Sequence, residues 1–78
     1  MTDEEIYAKL NQVFRDVFMD DSIEVTSETS PNDIEFWDSF MYITLLAEVE
    51  SAFGIKLGDY AVQIGNVGDM AEIIKKLV

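Results

Sequence analysis

The chain contains neither cysteine nor histidine. Without cysteine it has no disulfide and no thiolate nucleophile, and without histidine it lacks the commonest general base and the usual zinc ligands. A self-sufficient enzyme is therefore not expected. Proline occurs once, and 49% of the 78 residues are hydrophobic, which argues against disorder. A chain this short buries only about 60% of its unfolded surface, so we expect a single domain, residues 1–78.

Basic residues are scarce: five Lys and Arg stand against 16 Asp and Glu, and the formal charge is −11. All five lie toward the two ends of the chain, and residues 16–55 contain none. Such a segment repels nucleic acid and anionic lipid and attracts basic protein surfaces. We therefore expect protein partners with basic docking patches and no nucleic acid. The alternative is a solvated face that only maintains solubility.

The sequence also has little that would direct it to a membrane. Its first residues, Met1 to Glu5, are acidic where a secretory signal is basic, and no apolar run approaches the length of a membrane span. We expect a cytoplasmic monomer with no membrane insertion.

The periodicity of the apolar residues predicts two long helices joined by a long loop. Thr2 with Glu5 is typical of a capping box, and apolar residues then recur at i, i+4, i+7 and i+11, which predicts a helix over 3–18. From 19 to 37 this pattern gives way to turn residues. A second helix is predicted over 39–53, with Gly54 as the left-handed residue after it. We expect the stripe Tyr42, Leu46, Val49 and Phe53 to face the core, and the loop to be pinned by Ile23, Val25, Ile34, Phe36 and Trp37.

The last third of the chain predicts two further helices. Residues 58–64 have the length of about two helical turns, and Asn66 with Asp69 is typical of a cap that starts a final helix ending in Lys75 and Lys76. No alternation typical of strands competes with these patterns, so helices must pack on helices. The expected fold class is all-α, a small four-helix bundle with three longer helices and one short helix.

The seam between the loop and the second helix carries a candidate site, Asp38-Ser39-Phe40. Asp38 is a favoured N-cap residue, which places Ser39 at the first helical position, near unpaired backbone N–H groups and the positive end of the helix dipole. A phosphate esterified to the Ser39 hydroxyl would be stabilised there. A serine at a helix start is more often a plain capping residue, but long loops in small domains tend to be functional.

Three segments together resemble the acyl carrier protein family over essentially the full length: Asp38-Ser39-Phe40, Phe53-Gly54-Ile55 and Val67-Gly68-Asp69. That family shows an Asp-Ser-Leu core at the head of a hydrophobic helix. The resemblance implies that a phosphopantetheinyl transferase attaches 4′-phosphopantetheine from coenzyme A to Ser39, and that Asp38 presents the serine to this enzyme and its metal. It also implies a carrier that is not itself an enzyme and that holds an acyl or aminoacyl group as a thioester on the arm.

The residues after the serine depart from the family pattern. Fatty-acid carriers often have acidic residues just after the serine and three positions later, where this chain has Met41 and Thr44. We expect a partner interface on this side of the second helix, less charge-driven and more apolar at its centre. Its expected members are Phe40, Met41, Thr44, Glu48 and Ser51. The alternative for Met41 is that it folds inward.

The pathway stays open at this stage among fatty-acid, polyketide and other specialised biosynthesis. Phe40 in place of leucine is similar to the D-alanyl carrier proteins, so a D-alanyl or peptidyl-type carrier is one alternative, while Trp37 also suits carriers of specialised pathways. An unmodified acidic helical module that binds a basic partner is the other alternative.

Trp37 and Phe40 are expected to pack against their neighbours rather than to contact cargo. The acidic cluster at residues 20–24 lacks the spacing of a calcium loop, so no metal site is expected.

Overall fold

The computed structural model describes residues 1–78 and contains four helices and no strand. Helix α1 spans Asp3–Phe18, α2 spans Ser39–Phe53, a 3₁₀-helix spans Gly58–Gln63, and α3 spans Val67–Leu77. The predicted all-α fold of three longer helices and one short helix is confirmed. No helix has both the length and the apolar character needed to cross a membrane.

Local capping sets the bounds of the α-helices. At the start of α1 the Thr2 N–H donates to Glu5 Oε1 (2.9 Å) and the Glu5 N–H donates to Thr2 Oγ1 (3.2 Å), so the predicted capping box is present. Gly54 ends α2 in the left-handed conformation, with φ +67°. The Asn66 side chain accepts from the Asp69 N–H (2.8 Å) at the start of α3, again as predicted.

Helix α1 packs against both α2 and α3, and its buried residues lie at the centre of the core. The predicted core stripe of α2 faces the core, but it is incomplete. Val49 is fully buried, and Tyr42, Leu46 and Phe53 are half-buried against the core. Leu45, which the stripe omitted, is fully buried as well. Because α2 is apolar around most of its circumference, packing against α1, and not its own pattern, decides which side faces inward.

The predicted short helix over 58–64 is a 3₁₀-helix that ends at Gln63. None of its residues is buried, and it contains Gly58 and the β-branched Val62. Such a short segment gains little from α-helical propagation, and tight 3₁₀ turns are the usual outcome for connectors of this length. It is attached to the bundle by Leu57 before it, which is fully buried, and by Tyr60 within it, which is half-buried against the core.

The loop of residues 19–38 is fastened to two helices by hydrogen bonds. On the α1 side, Arg15 Nε donates to the Ile23 carbonyl and the Val25 N–H donates to Asn11 Oδ1, both at 2.7 Å. On the α3 side, the Val67 N–H donates to the Thr29 carbonyl (2.8 Å) and the Gly68 N–H to the Ser27 carbonyl (3.0 Å). The loop is therefore held between α1 and α3, and its end, where Ser39 begins α2, is fixed in space.

Four of the five apolar side chains predicted to pin this loop do so. Val25 and Trp37 are buried, and Ile23 and Ile34 are half-buried against the core. The prediction is wrong for Phe36, whose side chain is 73% exposed. Its backbone is left-handed, with φ +69°, and its side chain points away from the core although Trp37, the next residue, is buried.

The close approach of the loop to α3 explains the glycine of the Val67-Gly68-Asp69 motif. A Cβ added at Gly68 would lie 2.6 Å from the Ser27 carbonyl oxygen, well inside van der Waals contact. We expect Gly68→Ala to lower the free energy of unfolding by about 2 kcal/mol, because the loop backbone must shift and lose hydrogen bonds to α3. Urea denaturation followed by circular dichroism measures this change.

Gly58→Ala is the matched control, because a Cβ at Gly58 meets nothing within 4 Å. Alanine is the better residue wherever its backbone conformation is tolerated, so this variant should be neutral or more stable by up to about 1 kcal/mol. Equal stability of the two variants would contradict the role assigned to the close contact with Ser27.

Candidate functional site

Ser39 occupies the first position of α2, and its side chain is exposed. Asp38 before it is the N-cap: its backbone is extended, and its Oδ1 atom accepts from the Met41 N–H at 2.9 Å. The N–H groups of Ser39 and Phe40 have no hydrogen-bond partner within the protein. An exposed hydroxyl thus stands beside two free N–H donors at the positive end of a helix dipole, an arrangement that stabilises a bound anion.

A groove of about 280 Å³ lies beside Ser39. Its walls come from the loop, from α2 and from the residue that follows the 3₁₀-helix: Pro31, Trp37, Asp38, Tyr42 and Ile64. Sequence reasoning placed Asp38 and Ser39 together but missed Pro31, Tyr42 and Ile64. Tyr42 could have been found, because it follows Ser39 by three positions and shares its side of a helix. Pro31 and Ile64 are brought here only by the tertiary fold.

Tyr42 fixes one wall of this groove. Its hydroxyl donates to the Ala61 carbonyl at 2.7 Å, which ties α2 to the 3₁₀-helix. Burial raises the pKa of Tyr42 above its ordinary value, so the hydroxyl keeps its proton and remains a donor across the neutral range. The separation between the start of α2 and the 3₁₀-helix is therefore set by a specific bond.

Aromatic side chains extend from this wall into the core. The Trp37 ring packs edge-on against Phe14, with centroids 5.4 Å apart, and lies 6.3 Å from Phe18 and 6.5 Å from Tyr42. The expectation that Trp37 packs against its neighbours is confirmed. The same expectation for Phe40 is wrong: this side chain is 76% exposed, because it leaves α2 on the side opposite the buried Leu45 and Val49.

The exposed face of α2 only partly matches the predicted interface. Phe40, Thr44, Glu48 and Ser51 are exposed, as an interface on this side of α2 requires. Met41 is half-buried, because it follows Phe40 by a single position and is rotated toward the core side of the helix. Ile43, which is 70% exposed, and Ala47 complete the face, so its centre is apolar and Glu48 is its one acidic residue.

Comparison with known proteins extends this picture. No protein-family model matches the chain. The acyl carrier protein of Thermotoga maritima is 32% identical over 74 residues, which cover 94% of this chain and 91% of the relative. The solution NMR structure of the holo acyl carrier protein from Geobacter metallireducens matches with a TM-score of 0.82 and 42% identity, over 90% of this chain and 82% of the other.

The four helices, with no strand, match the fold of the holo acyl carrier protein structure. With these two similarities, which span most of each chain, the protein belongs to the acyl carrier protein family. The resemblance to this family, stated above from the sequence, is thereby confirmed.

Proposed function

We propose that the chain is a discrete acyl carrier protein that holds an acyl or aminoacyl group as a thioester on a 4′-phosphopantetheine arm attached to Ser39. It shuttles this group between separate enzymes of a fatty-acid, polyketide or other specialised pathway. The observation that carries the proposal is the exposed Ser39 hydroxyl at the first position of α2, in a chain of this family. The chain has no cysteine, so the thiol that bears the cargo comes with the arm.

In the attachment step, Ser39 Oγ forms a bond to the phosphorus of coenzyme A that carries the pantetheine. The phosphoanhydride bond breaks, adenosine 3′,5′-bisphosphate leaves, and the hydroxyl proton passes to a base of the transferase. The chain itself contains no histidine to act as that base. Asp38 Oδ1 is occupied by the Met41 N–H, and its second oxygen is free to face the transferase and its metal.

The residues around Ser39 fit a phosphodiester and its arm. The free N–H groups of Ser39 and Phe40 lie next to the hydroxyl and suit the negative charge of a phosphodiester. Trp37, Tyr42 and Ile64 offer an apolar wall to the hydrocarbon part of the arm in the adjoining groove. Incubation of the wild-type chain with coenzyme A and a broad-specificity transferase should add one phosphopantetheine mass. An unchanged intact mass would overturn the proposal.

We also propose that the exposed face of α2 docks the transferase and the loading and processing enzymes. Its centre, at Phe40, Ile43 and Ala47, is apolar, and Glu48 offers one contact to a basic patch. Interfaces with an apolar core and few charges derive their affinity from a small number of buried side chains. Ile43 is one such side chain, because it is large, exposed and within two helical turns of Ser39.

Ile43→Asp tests this docking face. We expect the KM of the transferase for the carrier to rise about tenfold with little change in kcat, since the substitution removes an apolar contact from docking and leaves Ser39 in place. Steady-state modification rates measure the change, and circular dichroism confirms that the fold is retained. Val62→Asp is the matched control, because Val62 is equally apolar, exposed and outside α2. Equal KM values for the two variants would refute this docking face.

A further inference from the structure

A second groove, of about 530 Å³, lies between the end of α1 and the loop that precedes Asp38. It shares no residue with the groove beside Ser39. Phe18, Ile23 and Ile34 are half-buried and supply apolar surface to the groove. Met19 and Phe36 also line it, and its carboxylates are those of Asp20, Asp33 and Glu35.

Met19 and Phe36 are the only residues other than glycine with positive φ, at +53° and +69°. Both are large and apolar, and they are 91% and 73% exposed. Glycine or asparagine would suit this backbone, and a polar side chain would suit the exposure. The left-handed conformation of Met19 is that of the C-cap of α1, which does not call for a large apolar side chain. Fold stability therefore does not explain the exposed apolar side chain at either position, and both side chains line one groove.

The charged residues that line the groove are all acidic. Asp20, Asp33 and Glu35 are exposed, and residues 16–55 contain no base to neutralise them. The nearest cation along the chain, Arg15, donates its Nε to the Ile23 carbonyl at 2.7 Å. The Asp20 carboxylate accepts from the Ser22 hydroxyl (2.6 Å) and N–H (2.9 Å), and these bonds lower its pKa, so it stays ionised.

We propose that this groove binds a basic segment of a partner protein in which a large apolar side chain is flanked by Lys or Arg. The apolar side chain packs against Met19, Ile34 and Phe36, and the basic residues pair with the carboxylates. A second copy of the chain is a poor occupant because it brings a charge of −11 and the same acidic groove. The inference goes beyond the proposed carrier function, since the groove does not include Ser39.

The first test is an NMR titration of the unmodified, isotope-labelled chain with a capped Lys-Lys-Leu-Trp-Lys-Lys peptide. We expect amide shift changes at Met19, Ile23, Ile34 and Phe36. A peptide with Glu in place of each Lys should cause none, and an all-Lys peptide should bind about tenfold more weakly, because each lacks one half of the recognition. Shift changes confined to α2, or the absence of any, would overturn the proposal.

Phe36→Gly separates recognition from stability. It should weaken peptide binding about tenfold, while the unfolding midpoint stays equal or rises because glycine relieves the strained backbone. Val62→Ala is the matched control, since Val62 is apolar and exposed and lies outside both the groove and the α2 docking face, and its affinity should stay within about twofold of wild type. Loss of binding in Phe40→Ala with none in Phe36→Gly would place the peptide on α2 and refute the inference.

The charge requirement is tested by Glu35→Gln against Glu28→Gln, two exposed glutamates of the same loop, of which only Glu35 lines the groove. Only the first substitution should weaken binding, and equal losses would show general attraction to an acidic protein.

Sedimentation over a range of concentrations should show no dimer. A dimer that dissociates in the Phe36→Gly variant would show that a second copy of the chain occupies the groove, and this result would overturn the proposal. Ser39 modification, scored by mass on the same samples, can fail without changing any of these results.

Discussion

A Ser39→Ala variant should gain no mass when it is incubated with coenzyme A and a broad-specificity phosphopantetheinyl transferase. The expected loss is complete, because the proposal assigns the new ester bond to Ser39 Oγ alone. The fold should not change. The Ser39 side chain makes no hydrogen bond within the protein, and Asp38 caps the helix, so the free energy of unfolding should stay within about 0.5 kcal/mol of wild type.

Ser51→Ala is the matched control, an exposed serine of the same helix that should be modified like the wild type. A mass gain in the Ser39→Ala variant would show that the arm is attached to a different residue. The competing class, an unmodified helical module, predicts no gain in any of the three chains and undiminished binding to basic partners in Ser39→Ala. Intact mass and partner binding, measured on one set of samples, therefore distinguish the two classes.

The bounds of α1 and α2 could be predicted from the sequence because they depend on local chemistry. The reciprocal bonds of Thr2 and Glu5 involve residues three positions apart, and so does the bond from the Met41 N–H to Asp38. Gly54 is a left-handed residue at the position where the apolar pattern ends. Each of these interactions closes within one helical turn, so the residue types and their spacing specify it without reference to the rest of the fold.

The orientation of α2 could not be predicted with the same accuracy. Apolar residues occur on nearly every side of this helix. Leu45 and Ile43 have similar hydrophobicity, yet Leu45 is fully buried and Ile43 is 70% exposed. The difference arises from packing against α1, which is a long-range contact. The same uncertainty moved Met41 out of the expected exposed face and left Phe40 fully on it.

The groove beside Ser39 could not be predicted from a sequence pattern. Its two ends, at Pro31 and Ile64, are more than 30 positions apart and meet because the loop is fastened to α3 through the carbonyls of Ser27 and Thr29. The glycine at position 68 was visible as part of a family motif, but its reason, the approach of the Ser27 carbonyl, required coordinates. Local motifs thus identified the reactive residue, and tertiary contacts defined its surroundings.

Trp37→Ala should be the most destabilising of the substitutions considered. The indole is buried between Phe14, Phe18 and Tyr42, and it joins α1, the end of the loop and the start of α2. Removing a buried aromatic side chain of this size costs about 3–5 kcal/mol, which approaches the whole stability of many small domains. We therefore expect the variant to be largely unfolded at temperatures where the wild type is folded, as followed by far-ultraviolet circular dichroism.

Two further variants separate packing from a general effect of losing an aromatic residue. Phe40→Ala removes an exposed ring and should change the free energy of unfolding by no more than about 0.5 kcal/mol. Trp37→Phe keeps an aromatic ring in the cluster and should be more stable than Trp37→Ala. If Trp37→Ala were as stable as Phe40→Ala, the aromatic cluster would not be what holds the loop against α1. The position of Ser39 would then depend on the hydrogen bonds of the loop to α1 and α3 alone.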